Sequence, residues 1–177
     1  MRYAAAPPGD AGPSALTSGG ADRLAVFGLD EQRYAVRVAD VVEVQRMVAL
    51  VTLPGAPDVV EGVFDLRGLL VPVMDVRARF GIPPKPIEPS DQLVVARAGS
   101  RTVALRVDAT HGLVEVTADR LDTAVSRFPG VVHVEGVAQD DAGLIVVHDL
   151  TTFLSLEEGH RLDVALADVE PSKPMPS

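Results

Sequence analysis

Cysteine is absent from the 177 residues, and aromatic side chains make up only 4% of them. Without cysteine there is no disulfide, no thiolate nucleophile and no cysteine-ligated metal. Basic residues are the minority, 16 against 25 acidic, for a formal charge of -9, so a face of the kind that neutralises a nucleic-acid backbone is not expected. Long hydrophobic runs are missing too. The apolar stretches are strand-sized and broken by charges such as Asp65, Arg67 and Asp75, which leaves no candidate membrane-spanning helix. Reactive constellations are equally scarce: there is no phosphate-cradling glycine loop followed by Lys-Ser/Thr, no nucleophile elbow and no helical His-Glu-x-x-His. His111, His133, His148 and His160 stand singly, without the spacing that aims two imidazoles at one ion.

Aliphatic residues fill the gap. The chain is 47% apolar and contains 29 valines, which predicts a β-rich interior built without large rings. Residues 1–21 are dominated by Ala, Pro, Gly and Ser and lack the apolar run of a signal peptide, so a flexible tail is expected there, on a protein of a reducing compartment such as the cytoplasm.

From Leu24 onward the pattern has period two. LAVFGL and RYAVRV flank Asp30-Glu31-Gln32 as a hairpin, with Tyr34, Val36 and Val38 on one face and Arg33 and Arg37 on the other. A strand is expected from Val41 to Leu53, closed by Pro54-Gly55 and Pro57. Two further apolar runs flank Asp65-Leu66-Arg67-Gly68, where the glycine supplies the positive φ of a tight turn and puts Arg67 at or beside a hairpin tip. Asp75 reads as the N-cap of a short helix, VRARF, ended by Gly81 and followed by prolines 83, 84, 86 and 89, a stiff bridge between halves.

The second half repeats the first. QLVVARA and TVALRV form another hairpin, and Arg37-Val38 with Glu43-Val44 is echoed by Arg106-Val107 with Glu115-Val116. Glu61-Gly62-Val63 recurs as Glu135-Gly136-Val137, Leu70-Val71 as Leu144-Ile145, and Asp75 as Asp149, all at an offset of 74 residues. Two copies of a small barrel fit a repeat of this length, each too small to bury a core alone, so their apolar faces are expected to meet in a shared interior. Leu150, Phe153 and Leu154 predict a closing helix with Gly159 as its C-cap, and the residues beyond Arg161 a few more helical turns before the terminal prolines.

The duplication isolates one candidate site. Where the second copy has Asp140-Asp141-Ala142-Gly143, the first has Asp65-Leu66-Arg67-Gly68, an apolar residue and a cation at a tip that needs only turn-formers. Either Arg67 pairs with a nearby carboxylate, Glu43 or Asp65, to small effect, or it anchors an interface, a role in which arginine is enriched. Val41, Val42 and Val44 around Glu43 are expected in the core, with one strand face left open as a groove. Asp75 and Asp149 resemble a carboxylate pair, but each precedes a helix and reads as a cap.

The run LPGAPDVVEGVFDLRGLLVPVMDVRARFG, with LIVVHDLTTFL near the end, resembles the CheW family of bacterial chemotaxis adaptors over about Leu24 to Glu158. The resemblance implies an all-β fold of two SH3-like five-stranded barrel subdomains sharing a hydrophobic core, with short helices. With the composition of the two ends, it gives an expected division into a tail (1–21), a CheW-like domain (22–158) and a partly helical, then mobile extension (159–177). It further implies no catalysis and no cofactor, and a cytoplasmic scaffold, recruited to membrane-associated receptor arrays without inserting in the bilayer, that links chemoreceptor tips to the regulatory domain of the histidine kinase CheA. By the same resemblance Arg67 and Glu43 contact the receptor, with Leu66 and Asp65 beside them; no residue is assigned to the kinase. Asp65 departs from the family's usual asparagine. An adaptor of a non-flagellar chemosensory pathway is the alternative within this class, and a small hydrolase using Asp75, Asp149 and the histidines the alternative outside it.

Overall fold

The alternating valines form strands that roll into two barrels. The computed structural model describes residues 21–129 and 131–169; residues 1–20 of the expected N-terminal tail and the last residues lie outside that range. The strands are β1 (Asp22–Leu29), β2 (Gln32–Arg37), β3 (Val41–Arg46), β4 (Val60–Leu66), β5 (Leu69–Met74), β6 (Gln92–Ala98), β7 (Arg101–Val107), β8 (Ala109–Val116), β9 (Leu121–Asp122), β10 (Val134–Asp140) and β11 (Gly143–His148). Helices α1 (Val76–Phe80) and α2 (Leu156–Val169) complete the fold with short 3-10 turns. One sheet runs β3-β6-β7-β5-β4 and the other β8-β1-β2-β11-β10-β9. Every strand of the first contributes to one cluster around Phe64, Val71, Leu93, Val95 and Ala104, and every strand of the second to one around Leu24, Val26, Ala35, Ile145 and Val147, so each sheet is wrapped around its own core. A third cluster lies between the two. Phe27, Leu29, Tyr34 and Val36 of one barrel meet Met74, Val94, Val103 and Leu105 of the other there, the expected shared interior.

The sheet order corrects the expectation of one barrel per sequence half. Hairpin β1-β2 belongs to the barrel built from β8 to β11, and hairpin β6-β7 to the one built from β3 to β5. The halves have exchanged hairpins. Each exchange is sealed by a parallel contact, Val73 opposite Ala104 in one barrel and Val147 opposite Ala35 in the other. The same exchange explains the repeated arginines and glutamates. Arg106 forks onto Glu61 at 2.7 and 2.8 Å, and Arg37 pairs with Glu135, so each half supplies the cation for the other half's carboxylate.

The repeated glycine has its own cause. A Cβ on Gly62 would lie 2.8 Å from the Val51 carbonyl oxygen, and one on Gly136 2.8 Å from that of Asp122, because a crossing segment presses on the bulged start of each strand. Since the obstacle is backbone, Gly62→Ala and Gly136→Ala should each cost about 1–3 kcal/mol. Urea unfolding checks this; unchanged midpoints would mean that the crossing segments give way.

Three local expectations need correction. The predicted strand over Val41 to Leu53 ends at Arg46, and the chain returns to the sheet only at Val51, in a single bridge to Val63. Its twin in the second copy is β9, which gives that barrel six strands where five were expected. After Asp149 the chain forms a 3-10 turn, Leu150–Thr152, and the helix starts later, at Leu156. Gly159 is therefore inside α2, not its cap, and a Cβ there would come within 3.1 Å of the Arg101 guanidinium. Leu162 and Ala165 of α2 pack on Leu53 and Val63. Both aspartate caps are formed: Asp75 accepts from the Ala78 N–H and Asp149 from that of Thr151.

Candidate functional site

At the tip of the β4-β5 hairpin, Leu66 pairs with Leu69, which leaves Arg67 and Gly68 as a two-residue loop. Both have positive φ, 51° and 90°, the signature of a type I′ turn. Arg67 thus occupies a left-handed position that ordinarily favours asparagine or glycine. The second copy does not share this strain: Asp141 and Ala142 form its loop without positive φ, and only Gly143 has it.

The turn holds the Arg67 side chain away from its own strand. Its guanidinium donates to the Glu43 carboxylate on β3, and because β3 and β4 are the two edges of their sheet, the ion pair spans the gap between them. Arg67 remains two-thirds exposed while Glu43 is 20% exposed. Of the two carboxylates expected as partners, Glu43 takes the role; Asp65 instead accepts from the Gly68 N–H at 2.8 Å and fixes the turn. Leu66 is half-buried on the barrel core beside Val42, Met47 and Leu50. The structure therefore brings Glu43, Asp65, Leu66 and Arg67 to one end of one barrel.

Val41, Val42 and Val44, expected in the core, are only half-buried. Val41 and Val44 lie against the seam between the barrels and Val42 against the barrel interior. Val48, Val51 and Leu69 are exposed apolar residues of the same barrel. The barrel that carries the cationic tip thus also carries half-buried valines on β3 and several exposed aliphatic side chains.

Several buried and half-buried ionisable groups are paired with one another. Arg77 is 3% exposed and bonds Asp30 and Asp108, whose carboxylates outweigh its burial and raise its pKa. Burial opposes the charge of Arg106, but Glu61 and Asp91 outweigh it and raise its pKa as well. Asp140 accepts both guanidinium N–H groups of Arg33, which lower its pKa to about 2. The His148 ring donates to the main-chain carbonyl of His133. Among the described residues no group of three or more His, Cys, Asp or Glu is placed to hold a metal ion, and no helix is long and apolar enough to cross a membrane.

Sequence reasoning missed the left-handed Arg67 and the Arg–Glu exchange. A signal for the exchange was present in the recurrence of one Arg and one Glu per copy; the left-handed Arg67 follows from the Leu66–Leu69 register, which only the fold shows.

Two wrapped barrels meet at a shared seam, and one of them carries a strained cationic tip. Comparison with known proteins gives the class, that of chemotaxis scaffolds. The CheW-like domain model matches residues 23–158, and the chain belongs to this family. It is 36% identical over 104 residues to the chemotaxis protein CheW of Rhizobium meliloti, an alignment covering 58% of this chain and 65% of that protein, just under two thirds. It is 25% identical over 136 residues to the chemotaxis protein CheW of Klebsiella aerogenes, covering 75% and 81%. Among solved structures, the scaffolding protein TtCheW of Thermoanaerobacter tengcongensis superposes with a TM-score of 0.69 at 26% identity, over 78% of this chain and 95% of that one. The all-β fold of two SH3-like subdomains is thereby shared, and the chain is not an enzyme, in keeping with a family of non-enzymatic scaffolds.

Proposed function

We propose that this chain is a chemotaxis adaptor that holds a chemoreceptor tip and the regulatory domain of the histidine kinase CheA in one complex, and so joins the receptor arrays at the membrane from the cytoplasm. The observation that carries the reading is the exposed Arg67–Glu43 pair at a strained tip, which the second barrel lacks, beside the half-open valines of β3. An apolar stripe of a receptor helix docks along Val41 and Val44; Arg67 engages a carboxylate or helix C-terminus of the receptor, with Glu43 orienting it and Leu66 and Asp65 shaping the tip. Such a protein works by placement. To bias the kinase it needs only a difference in contact free energy between two arrangements, and about 1–3 kcal/mol suffices.

Co-sedimentation of a receptor cytoplasmic fragment with CheA tests this. The kinase is expected to sediment with receptors when the chain is added and to stay in the supernatant without it; binding of one partner only would refute the bridge.

A further inference from the structure

His148 ends β11 at the seam between the barrels, 4% exposed. Its ring lies face to face with Phe80 of α1, centroids 3.7 Å apart and planes within 12°, with Phe153 edge-on and Tyr34 alongside. Nδ1 donates to the His133 carbonyl at 2.8 Å, which leaves Nε2 an unprotonated, buried nitrogen with no hydrogen-bond partner. A second proton would have to sit there, among ring faces. The charged and titratable groups on the surrounding elements offer it no acceptor. Arg79 of α1 is paired with Glu158 of α2 at 2.9 Å, and Asp149 accepts both the N–H and the hydroxyl of Thr151 at one oxygen, Oδ1. His133 faces Thr152 at 3.0 Å, and burial raises the pKa of Tyr34 on β2. At the equivalent place in the first copy, 74 residues earlier, stands Met74, apolar and 1% exposed.

The covers differ in how firmly they are held. Tyr34 belongs to a central strand, and Phe153, 1% exposed, to the seam. Phe80 is half-buried at the end of a five-residue helix that stops at Gly81. Moving Phe80 admits water to the imidazole at less cost than opening a barrel.

We infer that His148 is a proton-sensitive pin: when its imidazole takes a second proton, Phe80 and the end of α1 leave the seam while both barrels stay folded. Burial supports this by lowering the pKa of His148 from 6.5 to about 4. The closed seam is therefore at full strength above 6.5, loses stability as the pH falls from there toward 4, and loses no more from this group below that. Because α1 directly follows β5, the opening lies one strand away from the Arg67 turn.

Hydrogen exchange corrected for intrinsic rates, at about pH 7 and about pH 4.5, tests the pin in the full chain and in His148→Met, which copies the first half. Protection of amides 78–82 should fall roughly 10- to 100-fold at the lower pH in the native chain and change little in His148→Met, while β6 and β7 keep theirs in both. Equal loss in the two proteins, or simultaneous loss in β6 and β7, would overturn the inference. If His148→Met does not fold, the native ring signal decides: titration below about pH 5 supports the pin, and titration near 6.5 refutes it.

Discussion

Replacing Arg106 by methionine is expected to destabilise the chain by about 3–5 kcal/mol, a large share of the stability of an ordinary domain. Arg106 is the cation between Glu61 and Asp91, and Asp91 is 1% exposed with one oxygen already lacking a hydrogen-bond partner. Truncation leaves that buried carboxylate with only the Glu88 N–H at 2.9 Å and the Lys85 ammonium at 4.0 Å, and frees the Lys85 carbonyl, which Arg106 also bonds. The repeat provides an internal control. Arg37 holds the corresponding place in the other barrel, but its side chain is 33% exposed and its partners Glu135 and Asp22 are 27% and 43% exposed. Water can take over there, so Arg37→Met should cost only about 1 kcal/mol. Urea denaturation of the two variants measures the difference; equal losses would show that burial does not set the value of the exchanged pairs.

Arg67 should behave in the opposite way, mattering for binding and hardly for folding. Its pair with Glu43 is exposed and worth about 0–1 kcal/mol, while its left-handed backbone carries a strain that glycine would relieve. Arg67→Gly is thus expected to leave the unfolding midpoint unchanged or raise it, yet to weaken receptor binding by about 2 kcal/mol or more, roughly 30-fold. Arg67→Glu should do the same to binding, by setting a negative charge against the receptor carboxylate or helix C-terminus that Arg67 engages. Kinase binding is expected to stay within about twofold for both. Calorimetric titration with a receptor cytoplasmic fragment reads the first effect; native affinity in Arg67→Gly would remove Arg67 from the receptor site.

Much of this fold could be read in the chain because local chemistry sets it. Period-two alternation marked β1 and β2, the Gly68 turn marked the β4-β5 hairpin, and Asp75 and Asp149 cap where expected. Pairing across the molecule was less legible. Alternation identifies a strand but not the edge it joins, so the repeat suggested one barrel per half although the hairpins are exchanged. Helix α2 was displaced in the reading because Leu156, its first residue, is 96% exposed and the apolar spacing before it belongs to a 3-10 turn. Arg67 was legible through the duplication, since one copy carries a cation where the other carries turn-formers, but its partner stayed open between Glu43 and Asp65. The strain at Arg67 was not, because φ is set by the strand register on both sides of the loop. His148 gave no signal as a lone histidine; only its alignment with Met74 shows that an apolar seam position has been filled by a titratable ring.

The central claim is that the chain acts by bridging, and titrating it into fixed amounts of receptor fragment and CheA tests that most directly. A bridge predicts that sedimented kinase rises with added chain, peaks near stoichiometry and falls again in excess, when separate copies occupy receptor and kinase. Kinase recovery that does not depend on the chain, or a chain that turns over a substrate in the absence of both partners, would contradict it.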